Sequence, residues 1–306
     1  MSFPWIFALI VGAFILFLAI YGVSKLIGTQ ETLQSAKTSK EIGILLNPLE
    51  TGFEEAKSST LFFPVETRVY TDCNLGGDFG RQLIRISQKS FNKWVDTDLN
   101  VGFSNKYIFS KNPSEGEEFF IFVKPFDFPF KVSDLTYITS SRDVYCFVNA
   151  PDDIEEEIGN LQQENLLIEN CSELKSNDVR NVTKVCFGQA RESGCAVQVD
   201  YGNKMVETRD GKVHFETDAL LYGAIFAEKN IYECQVRRLM QRVESLARLY
   251  SQKINMVGCG TNMQTDLIML INSAKGVSDS SDLTLVNFVA EDIDSKNKAA
   301  GLCKLW

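Results

Sequence analysis

Eight cysteines, Cys73, Cys146, Cys171, Cys186, Cys195, Cys234, Cys259 and Cys303, are the side chains in this 306-residue chain best suited to a defined chemistry. Their number is even, they spread from residue 73 to residue 303, and no two stand as Cys-x-x-Cys. That pattern points to disulfides formed in an oxidising compartment, and away from zinc binding or dithiol redox work. One pairing is readable locally. Cys186 and Cys195 are separated by eight residues that include Gly188 and Gly194, and they flank two apolar alternating segments that read as the paired strands of a hairpin. A bond between them is therefore expected, closing a short loop and pinning strand register. The other six remain disulfide candidates with no partner fixed by spacing.

Other chemistry is sparse. His214 is the single histidine, set in the alternating stretch Lys212-Val213-His214-Phe215-Glu216, so histidine-based triads and zinc sites are hard to build and His214 reads as an ordinary strand residue. No Gly-x-Ser-x-Gly, His-Glu-x-x-His or Walker pattern occurs. Gly76-Gly77-Asp78-Phe79-Gly80 lacks the Walker lysine and reads as a turn between strands. The run Asp152, Asp153, Glu155, Glu156 and Glu157 contains calcium-type ligands, but successive helical residues splay around the axis; the run reads as an acidic, dipole-favoured helix start. Two carboxylates for glycoside chemistry cannot be picked from 40 Asp and Glu residues. No catalytic, cofactor-binding or metal-binding residue is assigned, and the chain is expected not to be an enzyme. With 31 Lys and Arg against 40 Asp and Glu, the net charge of −9 also argues against a nucleic-acid partner.

The elements that would position these residues begin with an uncharged run, Phe3 to Ser24. Twenty-two helical residues rise about 33 Å, enough for a hydrocarbon core, so residues 1–24 are expected to form a transmembrane helix. Trp5 and Tyr21 suit the two interfaces, and Phe7, Phe14 and Phe17 would face lipid or neighbouring subunits. A cleaved signal is disfavoured by the missing basic n-region and the length of the run. Lys25, Lys37 and Lys40 favour a cytoplasmic C-terminal part. The cysteines and the sequons Asn170-Cys171-Ser172 and Asn181-Val182-Thr183 favour the outside, which is the orientation expected here. Leu26, Leu33, Ile42, Leu45, Leu46, Leu49 and Phe53 lie at helical spacings, predicting a helical stalk over 25–60 with an interruption at Pro48.

Residues 61–306 are expected to be one disulfide-stapled α+β ectodomain whose C-terminal part is helical. Strands are predicted around 65–70, 82–87, 118–123, 143–149, 184–187, 196–200, 205–208 and 213–216, the last two joined by an Asp210-Gly211 turn. Helices are predicted over 152–163, 218–226, 232–254, 265–274 and 283–298. The phenylalanine-rich run from Phe119 to Phe130 reads as core. On the helix from Tyr232, Val236, Leu239, Met240, Val243, Leu246, Ala247 and Tyr250 form the buried stripe, while Arg237, Arg238, Arg242 and Arg248 read as a solvated face with a Glu244–Arg248 pair.

The segments Trp5-Ile6-Phe7-Ala8-Leu9-Ile10, Ile44-Leu45-Leu46-Asn47-Pro48-Leu49-Glu50-Thr51, Asn105-Lys106-Tyr107-Ile108-Phe109-Ser110, Lys124-Pro125-Phe126, Tyr145-Cys146-Phe147 and Tyr232 to Met240 together resemble a family of uncharacterised archaeal membrane-anchored proteins from small-genome lineages. The resemblance spans nearly the whole chain. It implies an anchor and an archaeal source, and no activity. The expectation is a surface protein that acts through protein contacts. The alternatives are a pilin-like filament subunit that assembles through residues 3–24, and an envelope enzyme with a carboxylate site. The pilin alternative departs from the usual pattern in lacking a basic leader ending in glycine and an acidic residue early in the apolar helix.

Overall fold

Pro64 has no amide hydrogen to offer a strand ladder, and the longest strand changes register around it. In the computed structural model, which describes residues 7–23, 57–96, 101–169, 171, 181–188 and 194–306, strand β1 (Lys57–Asn74) pairs with β6 (Ser114–Asp127) on both sides of a shift between Phe62 and Thr67. Around them lie β2 (Arg81–Ser90), β3 (Lys93–Asp96), β4 (Val101–Phe103), β5 (Tyr107–Phe109) and β7 (Lys131–Ser140). The order is β3-β2-β1-β6-β7-β5, with β4 also on β2. The irregularity lets the sheet curl over itself. Phe63, Val69, Ile84 and Ile86 from β1 and β2 share one core cluster with Ile108, Phe119, Ile121 and Ile138 from β5, β6 and β7.

Strand β6 is buried on both faces, which is why Phe119 to Val123 reads as an unbroken apolar run. Phe119 and Ile121 fill the curled sheet, while Phe122 and, farther on, Phe126, Phe128 and Phe130 belong to a second, larger core. That core lies against the second sheet, formed by β8 (Asp143–Val148), β9 (Leu166–Ile168), β10 (Asn181–Phe187), β11 (Val197–Asp200), β12 (Met205–Thr208) and β13 (Gly211–His214). Its order is β13-β12-β11-β10-β8-β9. The pairs β8–β9, β8–β10 and β10–β11 are parallel and the remainder antiparallel. The β12–β13 hairpin turns at Asp210-Gly211, where Gly211 takes φ +123°.

Helix α2 (Asp152–Leu161) crosses between β8 and β9 and buries Ile154, Ile158 and Leu161, one face at a spacing of three to four. Helix α3 (Asp218–Phe226) starts where the Thr217 hydroxyl accepts from Leu220 N, and it is buried from Ala219 to Phe226. It joins the two sheets: the Phe226 ring meets Phe122 at 5.8 Å on one side and Tyr145 at 4.8 Å on the other. Gly223 must lack a side chain, because a Cβ there would stand 2.7 Å from the Phe109 ring. Helices α4 (Lys229–Val257), α5 (Gln264–Gly276) and α6 (Leu283–Ala299) complete the helical end.

Three expectations are corrected. The apolar N-terminal helix, α1, is described over residues 7–23. Among the described residues no helix is long and apolar enough to cross a membrane, so the α+β class stands with mixed sheets and without the transmembrane helix assigned to residues 1–24. The helical stalk over 25–60 lies outside the described residues except for 57–60, which belong to β1: Ser58, Ser59 and Thr60 pair with Phe122, Ile121 and Phe120. β-branched and aromatic neighbours at 60–63 favour the ladder over a helix. Finally, β10 and β11 do not form a hairpin. They pair in parallel over only Val185–Phe187 and Val197–Val199, a return of roughly 10 Å that the intervening link can bridge.

Candidate functional site

All eight cysteines are paired. Cys73 near the end of β1 joins Cys234 on α4, 161 residues away. Cys146 on β8 joins Cys171 beyond β9, and Cys186 on β10 joins Cys195 just before β11. Cys259, after α4, joins Cys303 at the end of the chain's last helical turn. Bonds distributed over both sheets and the helical end are consistent with an oxidising, extracellular environment.

The densest polar constellation lies beside Cys73–Cys234, at the seam where the curled sheet nearly closes. Arg238, fully buried on α4, has every guanidinium nitrogen engaged. Nε donates to Phe79 O at 3.1 Å, Nη1 to Lys106 O at 2.9 Å and Gln235 Oε1 at 2.8 Å, and Nη2 to Ser104 O at 3.2 Å and Phe103 O at 3.5 Å. Its plane lies over Tyr107, 4.7 Å from the ring centre. Burial pulls its pKa down and the neighbouring Tyr107 opposes this. Gln235 Nε2 donates to Ile108 O at 2.9 Å and to Gln82 Oε1, and that same Oε1 accepts from Ile108 N at 3.3 Å. The outer edge of β5 therefore finds its hydrogen bonds in side chains from β2 and α4 instead of in another strand.

The glycine-rich run is part of this clamp. It is the β1–β2 turn, and it presents the Phe79 carbonyl to Arg238. Gly80, at φ +59°, has no room for a Cβ, which would sit 2.4 Å from Asn74 O and 2.9 Å from Arg238 Cγ. Placing Arg238 on a solvated face missed this; the available signal was its spacing of three from Gln235 on one helix face. Arg248 does pair with Glu244, at 2.7 Å.

Three other clusters bring titratable groups together. Lys124 Nζ lies 2.5 Å from Glu157 Oε2, and the Tyr222 hydroxyl donates to the same oxygen at 2.9 Å. Burial, and then the Glu157 charge, push the Tyr222 pKa far up, so this hydroxyl stays a donor and is no base. Tyr201 is raised in the same way, by burial and by donating to Asp218 at 2.9 Å. Around His214, the Ser280 hydroxyl donates to Glu233 Oε1 at 2.8 Å and accepts the His214 peptide N–H at 2.9 Å. The contact between histidine and serine thus runs through the backbone, and the arrangement caps a helical turn. Of the acidic run on α2, Glu157 meets Lys124 and Tyr222. Among the described residues no group of three or more His, Cys, Asp or Glu side chains converges on a metal position.

The N-terminal candidates divide. Trp5 lies outside the described residues. Phe7, Phe14, Phe17 and Tyr21 on α1 are all exposed, with Phe17 and Tyr21 stacked 6.4 Å apart. The features together define a disulfide-stapled α+β domain with an apolar helix ahead of it. No family model, curated protein or solved structure matches the chain.

Proposed function

We propose that the protein works outside the cytoplasm as a surface protein that acts by contact with other proteins, without chemistry of its own. The observation that carries this reading is the pairing of all eight cysteines in four bonds, each fastening a different part of the fold. The titratable clusters support it from the other side, since Tyr201 and Tyr222 are held protonated and the carboxylates of Glu157, Asp218 and Glu233 each accept hydrogen bonds from neighbouring groups. The archaeal resemblance fits this reading and adds no activity. Thiol labelling of the denatured, unreduced protein from its own cells tests it. No label should attach, and labelling at all eight cysteines overturns the compartment.

A second reading has its own observation. Helix α1 carries no charge from residue 7 to residue 23, and its large apolar side chains are exposed on every face. Such a surface needs cover, and a bundle of α1 helices from several copies supplies it, as in a pilin-like filament. Electron microscopy of the purified full chain tests this. Helical assemblies lost on deletion of residues 7–23 support it, and discrete monomers at all concentrations overturn it.

A further inference from the structure

Of the two glycosylation triplets of the sequence, we propose that Asn181 is a site of N-linked glycan attachment, while the 170–172 triplet, whose middle cysteine is disulfide-bonded, is not. The assignment rests on the extracytoplasmic reading above. Asn181 is the exposed first residue of β10, and Val182 beside it is 45% exposed. The Asn181 amide donates to Arg142 O at 2.8 Å, which fixes the backbone and leaves the carboxamide to solvent. The triplet is extended, and one edge is taken by β8, where Asn181, Val182 and Thr183 align with Asp143, Val144 and Tyr145. Strand β11 pairs only from Val185 onward, so among the described residues the other edge of 181–183 is open. An exposed asparagine with a threonine two residues on, in a stretch with one open edge, is an accessible acceptor of the Asn-x-Thr type. In the other triplet the central residue, Cys171, is bonded to Cys146, which is fully buried, and its amide donates to Glu169 O at 2.9 Å. That anchorage ties the middle residue of the second triplet to the buried strand β8.

The co-reactants are a lipid-phosphate-linked sugar and a membrane transferase. Asn181 Nδ2 bonds to the anomeric carbon, the bond from that carbon to the phosphate oxygen breaks with its electron pair going to the lipid phosphate, and one carboxamide proton passes to a carboxylate of the transferase. No redox partner is needed.

Peptide mass spectrometry of the full chain from its own cells, digested without reduction, decides the matter alongside the variants Asn181→Gln and Thr183→Ala. The peptide spanning residues 181–184 should carry sugar masses that vanish in both variants, and the peptide containing residue 170 should be bare. A bare 181–184 peptide in protein whose four disulfides are intact overturns the assignment and leaves the compartment reading standing. Sugar at residue 170 overturns the distinction between the triplets. Eight free thiols overturn both the compartment and the attachment.

Discussion

Two ends of the molecule are each fastened by a long-range disulfide, yet they are sealed by opposite chemistry. At the seam of the curled sheet, beside Cys73–Cys234, the seal is a buried guanidinium and two glutamines bonded to carbonyl and amide groups. At the helical end, beside Cys259–Cys303, it is apolar. Leu305 is buried with Met263, and Trp306 packs on Phe130 and Tyr250 at 5.4 and 5.1 Å. The difference follows from the backbone. Helices satisfy their own amides and carbonyls, so filling the space between α4, α5 and α6 takes hydrocarbon with a few tail bonds, such as Leu305 N to Asn297 Oδ1 at 2.7 Å. A sheet edge leaves its groups open, and burying them demands polar partners.

The contrast is broken most directly at Arg238. Arg238→Met keeps roughly the volume but removes the buried donor to Lys106 O and Gln235 Oε1 and the part-buried donors to Phe79 O and Ser104 O, so urea unfolding should show a loss of about 4 kcal/mol. Leu305→Ala leaves every polar group as it was and creates a cavity, for which about 3 kcal/mol is expected in the same measurement. If the apolar variant proves the costlier, the polar seal is not what holds the seam. Disulfide removal sharpens the comparison further. Cys73 and Cys234 close a separation of 161 residues, against 44 for Cys259 and Cys303. Replacing the first pair by serine should cost about 1 kcal/mol more than replacing the second, because loop entropy grows with the logarithm of length. Equal losses would mean that strain or residual structure outweighs chain entropy.

The smallest effect is acid dependence. Glu66, at the bend of β1, is held below its ordinary pKa of 4.5, chiefly by its hydrogen bond to Lys89 and then by Arg142, against an opposing desolvation. A carboxylate lowered in the folded state contributes stability that is complete above the unfolded pKa and is lost as pH falls through the folded one. Urea midpoints should therefore drop below pH 4.5, and Glu66→Gln should flatten that drop. An unchanged slope in the variant would assign the acid sensitivity to other carboxylates.

Much of the helical end was legible because its signals are local. The helix expected over 218–226 is α3, the apolar spacing on α4 gave its buried stripe, and, in the neighbouring sheet, the Asp210-Gly211 turn gave the β12–β13 hairpin. The cysteine spacing likewise identified Cys186 and Cys195 as near neighbours. The direction of β11 was not legible, since parallel and antiparallel pairing of two short strands share one periodicity. Nor was the seam. Gln82, Gln235 and Arg238 come together only after β2 has curled round to β5, a contact set by the register shift near Pro64 and by no short-range pattern. The run from Phe3 to Ser24 reads as a membrane span by composition, yet among the described residues no helix is long and apolar enough to cross a membrane.

The crosslinks also set how the head responds to pulling. Tension applied between Lys57 and Trp306 follows the covalent path through residues 57–73, crosses at Cys73–Cys234, continues through 234–259 and crosses again at Cys259–Cys303 to reach the last three residues. Everything from 74 to 233, which includes the whole second sheet, lies off that covalent path, so its chain adds nothing to the length the head can reach. While the bonds stay oxidised, a partner tugging on the head can lengthen it only by the slack in β1 and α4.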